Sequence, residues 1–504
     1  MKPAPEQRLP ALTLCLLTSA AVLIHGYHLG TEDGEIYVPA AKKFLHPDLY
    51  PYASEFFLSH ERLSSFAAIL AWTARITRLS MDWTIAIWYV ATIFATLLGC
   101  WMLAAISFRS ARARWCSLLV VTAVLTMPAT NTGLLLMDPY LTARSFSTPL
   151  TLITLACVLR RRYVVAAALI VLTAAIHIQM AVYLVLLTGT LWLVQRRAKI
   201  VRDVTPEMAY SAFALPVTFH FGPAQEPYRE ALYARGFYFL STWTWYHWLG
   251  MLAPLAFLSW CSKGKVRGTT PEFRLMSCAV LPFGVLAILV AAIFASSHEF
   301  DMFARLQPLR CFHLITLIFV LYLGGTLGEY FAQGRTWVLP LIFVSLAGGM
   351  AYVNLRTYPD SPHIELPGIK SSSNAWIDTL LWVRENTPKD AVFAVDSRYF
   401  KDEGVDVHGF RAISERSGLA DYFKDGGVVA IFPPLAAEWK QMSDATFGLN
   451  QFDVGKFERL AQAYPVTWTV IHGSAPIGMV CPYQQQGFAV CQIPGASGIS
   501  HHSP

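Results

Sequence analysis

A chain of 504 residues in which 55% are hydrophobic and only 14% charged falls well short of the roughly 25% charge of soluble domains, which excludes an ordinary water-soluble enzyme. The net charge of +6 sits in short basic clusters between apolar runs, not on a mixed basic and aromatic face, which excludes nucleic acid as a partner. The nine cysteines form no CxxC pair and show no Cys/His spacing of the zinc type.

Taken in chain order, Lys2 and Arg8 precede an apolar run from Leu9 to Ile24, and the following HGYHLGTEDGE offers no small-residue cleavage site. The sequence therefore predicts an uncleaved first membrane helix. Further apolar runs bring the expected spans to eleven: 9–27, 82–107, 115–129, 146–159, 163–177, 180–194, 206–221, 244–261, 275–296, 309–327 and 336–353. Several are shorter than the roughly 20 residues of a perpendicular span. Two spans and a re-entrant piece are the alternative over 146–194. An amphipathic stretch around Leu63 to Leu79 is expected to lie in the interface.

Basic residues mark every second junction: Lys2 and Arg8; Arg109, Arg112 and Arg114; Arg160 to Arg162; Arg196, Arg197, Lys199 and Arg202; Lys263, Lys265, Arg267 and Arg274; Arg335. The positive-inside rule then places the N-terminus in the cytoplasm and, with an odd number of spans, the C-terminus outside. The expected fold class is an α-helical polytopic inner-membrane protein, N-in and C-out, with a small α/β extracytoplasmic domain at its C-terminus. Its divisions are a bundle over 1–352 with a long first outer loop at 28–81, a Pro- and Ser-rich linker at 353–373, the domain at 374–494 and a disordered tail at 495–504.

In the C-terminal part, NAWIDTLLWVRENTP reads as a helix capped by Asn374 and closed by Pro388. AVFAVD, VTWTVIHG and GFAVCQI read as strands and VGKFERLAQAY as a second helix, which suggests a small sheet with crossover helices. Cys481 and Cys491 flank a hairpin-like PYQQQGFAV; an oxidising compartment allows a disulfide there, two free thiols being the alternative.

Chemistry concentrates in the outer loops. Glu32, Asp33 and Glu35 cluster in TEDGEIYVPAAKKFL just past the first span. Such an acid serves either as a general base for an attacking hydroxyl or as a solvated helix cap. Asp138 and Arg144 share LLLMDPYLTARSFSTP, and SSHEFDMFARLQPLRCFH supplies His298, Glu299, Asp301, Arg305 and Arg310. Arg310, at the start of an apolar run, can bind phosphate bidentately or snorkel to headgroups. His177 reads as a packed, hydrogen-bonded histidine. Tyr228, Arg229 and Arg235 precede FYFLSTWTWYHW, which reads as an interfacial aromatic belt. Acids and a few arginines on one face suit an enzyme acting on a lipid phosphate, or a transporter vestibule. The paired halves with broken helices of many transporters are not evident.

An acidic pair just past the first span, followed by an interfacial helix, resembles the GT-C superfamily of membrane glycosyltransferases, above all in EDGEIYVPAAKKFL. The resemblance covers residues 1–355 in architecture and about fifteen residues in motif. It implies transfer of a sugar from a polyprenyl-phosphate donor to an envelope lipid, glycan or protein acceptor at the outer face of the inner membrane. By the resemblance, Asp33 is the catalytic acid with Glu32 beside it, Asp138 a second acid, and Arg144, Arg310 and Arg305 contacts to the donor phosphate. The WWDYG-type motif of oligosaccharyltransferases and a DxD pair at Asp138 are both absent from the sequence. No residue is assigned to a metal; a divalent metal is compatible with the family without being required. The alternatives are a non-catalytic transporter or envelope assembly factor, and a relative that keeps the fold without the activity.

Overall fold

The structure is a computed structural model that describes residues 11–200, 222–294, 298–331, 337–368 and 374–495. The expected span 206–221, part of the linker and the tail from 496 onward lie outside the described residues.

The chain begins with α1 (Ala11–His25), then α2 (Gly34–Leu45), α3 (Glu55–Glu61) and α4 (Phe66–Thr77) in and after the first loop. The apolar runs that follow become α5 (Met81–Ser107), α6 (Ala111–Ala123), α7 (Ala143–Leu159), α8 (Tyr163–Ile176) and α9 (Ile178–Ile200). Next come the short α10 (Tyr228–Tyr233), then α11 (Trp245–Ser262), α12 (Pro271–Phe294), the short α13 (Asp301–Ala304), α14 (Phe312–Tyr330) and α15 (Val338–Thr357). Among the described residues, five helices are long and apolar enough to cross a membrane: 81–107, 178–197, 271–294, 308–330 and 338–357. The others are shorter or less apolar. Residues 146–194 form three separate helices. The amphipathic stretch after Leu63 is helical as α4, and α15 runs through Thr357 into the first part of the expected linker.

Local chemistry sets several helix starts. Ser80 accepts from the amide of Trp83 and Ser110 from that of Ala113, satisfying amides that have no partner within the first turn. Thr142 and Ser145 close a reciprocal capping box at α7. Small residues let helices approach closely in the bundle. A side chain on Gly328 of α14 would come within 2.8 Å of Cys116 on α6, and one on Gly324 within 2.9 Å of its carbonyl.

The C-terminal part contains α16 (Ala375–Asn386), β1 (Val392–Ala394), α17 (Phe410–Ser414), β2 (Ser417–Gly418), α18 (Lys424–Val429), α19 (Ala436–Ala445), α20 (Val454–Ala463), β3 (Trp468–His472), β4 (Val480–Gln485) and β5 (Phe488–Gln492). Asn374 caps α16 through the amide of Ile377 at 3.0 Å, as the sequence predicts. The sheet order is β2-β1-β3-β5-β4, with β1 parallel to β2 and β3, and β5 antiparallel to β3 and β4. Cys481 and Cys491 are disulfide-bonded across the β4–β5 hairpin. Alternate residues serve opposite cores. Val392, Ala394, Ile471 and Ala489 face Trp439, Phe457 and Leu460, while Phe393, Val470, Phe488 and Val490 face Trp376, Leu380 and Phe410. Both faces are covered, which explains the unbroken apolar run of β1.

The sheet is fastened to the bundle by buried charge. Glu35, in the first turn of α2, accepts from Arg411 Nε at 2.8 Å and from the amides of Arg411 and Ala412 at 3.0 Å. Arg411 also pairs with Asp425 at 2.7 Å and reaches Asp421 at 3.5 Å. A side chain on Gly409 would collide with the Glu35 carboxylate. Lys42, on the same helix, pairs with Asp82 and Glu415 at 2.9 Å each. Glu35 is therefore spent on structure and is not open for chemistry. Removing one partner of such a network leaves charge buried without compensation. Arg411→Met is expected to lower stability by about 3–5 kcal/mol, read by denaturant unfolding in detergent; a loss below about 1 kcal/mol would show that the domain is held otherwise.

Candidate functional site

The loop after α1 is held against the C-terminal part by backbone pairing. Thr31 and His408 form an antiparallel bridge, and the amide of Glu32 donates to the carbonyl of Val407 at 2.9 Å. Both Glu32 (φ 50°) and Val407 (φ 54°) occupy the left-handed region, a conformation unfavourable for side chains other than Gly and Asn. This contact presents Glu32 and Asp33 to Lys424 at the start of α18. Lys424 pairs with Glu32 and lies 3.4 Å from Asp33 Oδ1. Their positions are 392 and 391 residues apart in sequence, so no local pattern could have joined them.

Asp33 is 45% open at its side chain yet set deep among charged groups, a carboxylate in the wall of a recess. Burial by itself would push it up. The positive field of Lys424, Arg144 and Arg310 overcomes that and holds it at about 2. Of the expected phosphate contacts, Arg144 and Arg310 thus act on the same carboxylate. Arg305 acts instead on Tyr228.

Asp138 is buried, and is bonded to Arg144 and to Thr142, the latter at 3.3 Å. It braces Arg144 and is less accessible than Asp33. His177 is within the fields of Arg144 and Arg310 as well as those of His60 and His313. Its ring makes no side-chain hydrogen bond to a described residue, which corrects the expectation of a bonded core histidine. The cause is its position at the break between α8 and α9, where it faces cations.

Several buried polar atoms here have no partner among the described residues: the Nε atoms of Arg144, Arg235 and Arg310, Nδ1 of His60 and His313, and Oε1 of Gln307. Arg235 comes from the loop before the aromatic belt and acts on Lys424 and Tyr238. A small pocket of about 10 Å³, room for about one water molecule, is lined by Thr132, Phe237, Tyr238, Gln307, Leu309 and Arg310. Buried donors are normally satisfied, so a set of guanidinium N–H groups left open around one recess is suited to an anion. Four cations (Arg144, Arg235, Arg310, Lys424) accompany three carboxylates (Glu32, Asp33, Asp138), which leaves one positive charge.

Lys424, Gln307 and His60 carry no signal in the sequence, and Arg235 stands out there only as a basic residue before the aromatic belt. Lys424 is an ordinary basic residue in a polar stretch and Arg235 one at the edge of an aromatic run, and no periodicity marks them.

Glu61 is the last residue of α3. It accepts from the amide of Ala67 at 3.1 Å, and burial pushes its carboxyl up to about 7. Within the same loop, Ser64 and Ser65 bond to the carbonyls of Ile176 and Ala175. No protein-family model matches the chain, and no curated protein is significantly similar to it.

The two acids predict opposite pH behaviour. Asp33 is held below its usual range, so its pairing is intact above about 4 and is lost only as pH falls through about 2. Glu61 holds a proton in the folded chain that the unfolded chain releases, so its contribution is fully present below about 4.5 and fades as pH rises through about 7. Thermal unfolding in detergent is expected to show a decline in stability from pH 5 to 7.5 that Glu61→Gln flattens; an equal slope in both proteins would contradict this assignment.

Proposed function

We propose that the chain is a membrane glycosyltransferase of the GT-C kind, moving a sugar from a polyprenyl-phosphate donor to an envelope acceptor at the outer face of the inner membrane. The observation that carries the reading is the set of charges around Asp33: an accessible, ionised carboxylate beside Lys424 and in the field of Arg144 and Arg310, whose buried Nε atoms have no partner among the described residues. The disulfide between Cys481 and Cys491 supports an oxidising compartment for the C-terminal domain, in agreement with the alternation of basic clusters.

In this mechanism the acceptor hydroxyl attacks the anomeric carbon and its proton passes to Asp33. The bond from that carbon to the phosphate oxygen breaks, and its electron pair leaves on the polyprenyl phosphate. Arg310 and Arg235, with Arg144 held by Asp138, receive the phosphate and stabilise the charge that grows on it. Donor binding also prepares the base. The cations that hold Asp33 at about 2 become engaged by phosphate, burial then dominates, and the carboxyl rises towards the working pH, where a general base is most effective. Lys424 keeps Asp33 aligned and charged until the donor arrives.

Purified protein in nanodiscs, given radiolabelled polyprenyl-phosphate sugars and envelope lipids, tests this reading. Asp33→Asn is expected to lower transfer by about 10²–10⁴-fold at unchanged protein abundance and unchanged donor binding. Full activity in that variant would remove Asp33 from the chemistry. Arg310→Gln is expected to weaken donor binding by at least about tenfold, seen as a rise in KM. Wild-type protein that neither transfers label nor binds donor would favour a transporter or an assembly factor.

A further inference from the structure

Three segments distant in sequence meet at one carboxylate oxygen. His28, four residues before Glu32, places Nδ1 2.8 Å from Glu365 Oε1, and His408 places Nε2 2.9 Å from the same atom. The three ligand atoms all lie within 4.8 Å of one another, and both imidazoles are fully buried. Glu365 belongs to the segment after α15, and His408 to the segment before α17. None of these residues is part of the recess around Asp33.

The hydrogen bonds around the cluster fix what it can hold. His408 Nδ1 faces the carbonyl of Val405 at 3.1 Å, so that nitrogen carries a hydrogen and donates. In neutral His408, Nε2 then presents a lone pair to a carboxylate oxygen, an arrangement that needs a cation between the two atoms. A second proton on the ring supplies one; a metal ion supplies another. Glu365 Oε2 is already fixed by the amide of Leu29 at 3.0 Å, leaving Oε1 for the shared position. The His28 ring is stacked on Tyr358 at 3.8 Å between centroids, and its Nε2 is buried without a partner among the described residues. Metal-binding histidines are characteristically oriented by a carbonyl or carboxylate on the far nitrogen, as His408 is. Two imidazoles and one carboxylate suit zinc and its neighbours more than calcium or magnesium, which prefer all-oxygen sets. Around an ion with ligand bonds of about 2.0–2.2 Å, the nitrogen–oxygen pairs would open by a few tenths of an ångström and the two nitrogens, within 4.8 Å of each other, would adjust to the same ion.

We propose that His28, Glu365 and His408 form a structural site for a zinc-class divalent ion, which clasps the first loop, the segment after α15 and the C-terminal domain together. The clasp stands four residues before Glu32 and stacks on Tyr358, which the charge of Glu32 reaches. It therefore braces the backbone that presents Glu32 and Asp33. The inference does not depend on the glycosyltransferase reading.

The test uses the full chain in detergent, stripped with a chelator and titrated with Zn²⁺ or Co²⁺, with bound metal measured by mass spectrometry and Co²⁺ followed by its visible absorption. Wild type is expected to take up one equivalent tightly and to unfold at a higher temperature when loaded. Glu365→Gln and His408→Ala are expected to lose that equivalent. His28→Gln, which removes one ligand at similar volume, serves if those variants fail to fold, and is expected to bind at least about tenfold more weakly. Asp33→Asn is expected to bind as wild type does; loss of the equivalent there would move the ion to the acidic pair and overturn the proposal. Wild type that retains no equivalent, or a His28→Gln variant with unchanged affinity, would also overturn it.

Discussion

The arrangement depends on the buried contact between Glu35 and Arg411. A carboxylate at the start of α2 and a guanidinium on α17, both almost without solvent, are costly to bury unless each finds several partners. They do: two backbone amides and one Nε–H on Glu35, and Asp425 and Asp421 on Arg411. The need to satisfy these groups together fixes how the sheet sits on α2. Asp33 and Lys424 are carried by the same two units, so their meeting follows from this docking.

That docking separates the acids of the first loop into different roles. Glu35 faces the domain core and is fully used in holding it. Two residues earlier, Asp33 points into the recess, where cations keep it ionised. Asp138 is set against Arg144 and serves to orient it. Carboxylates that look alike in sequence thus differ because each meets a different set of positive groups and a different degree of water access.

The same geometry accounts for a surplus of unpartnered donors. Arginines from three segments enter the recess from α7, the loop before α11 and the turn before α14. Two of them are anchored by their surroundings, Arg144 by Asp138 and Arg310 against the ring of Phe237. Their open N–H groups are held in place before any ligand arrives, which lowers the ordering cost of binding an anion.

The sequence by itself determined the elements whose cause is local. Lipid admits only segments whose backbone is satisfied internally and whose side chains are apolar, so hydropathy located the helices in the described part of the bundle. Asn374 marked the start of α16 because its side chain can satisfy a first-turn amide, and short runs rich in apolar and β-branched residues marked β3 and β5. The two-residue β2 and the exposed β4 left no such pattern. Tertiary structure alone decided the pairing of Lys424 with Glu32 and Asp33, the convergence of Arg144, Arg235 and Arg310, and the meeting of His28, Glu365 and His408. Those contacts join positions tens to hundreds of residues apart. Electrostatic satisfaction of buried groups has no period along a chain, and it is settled only when the elements carrying those groups are packed against one another.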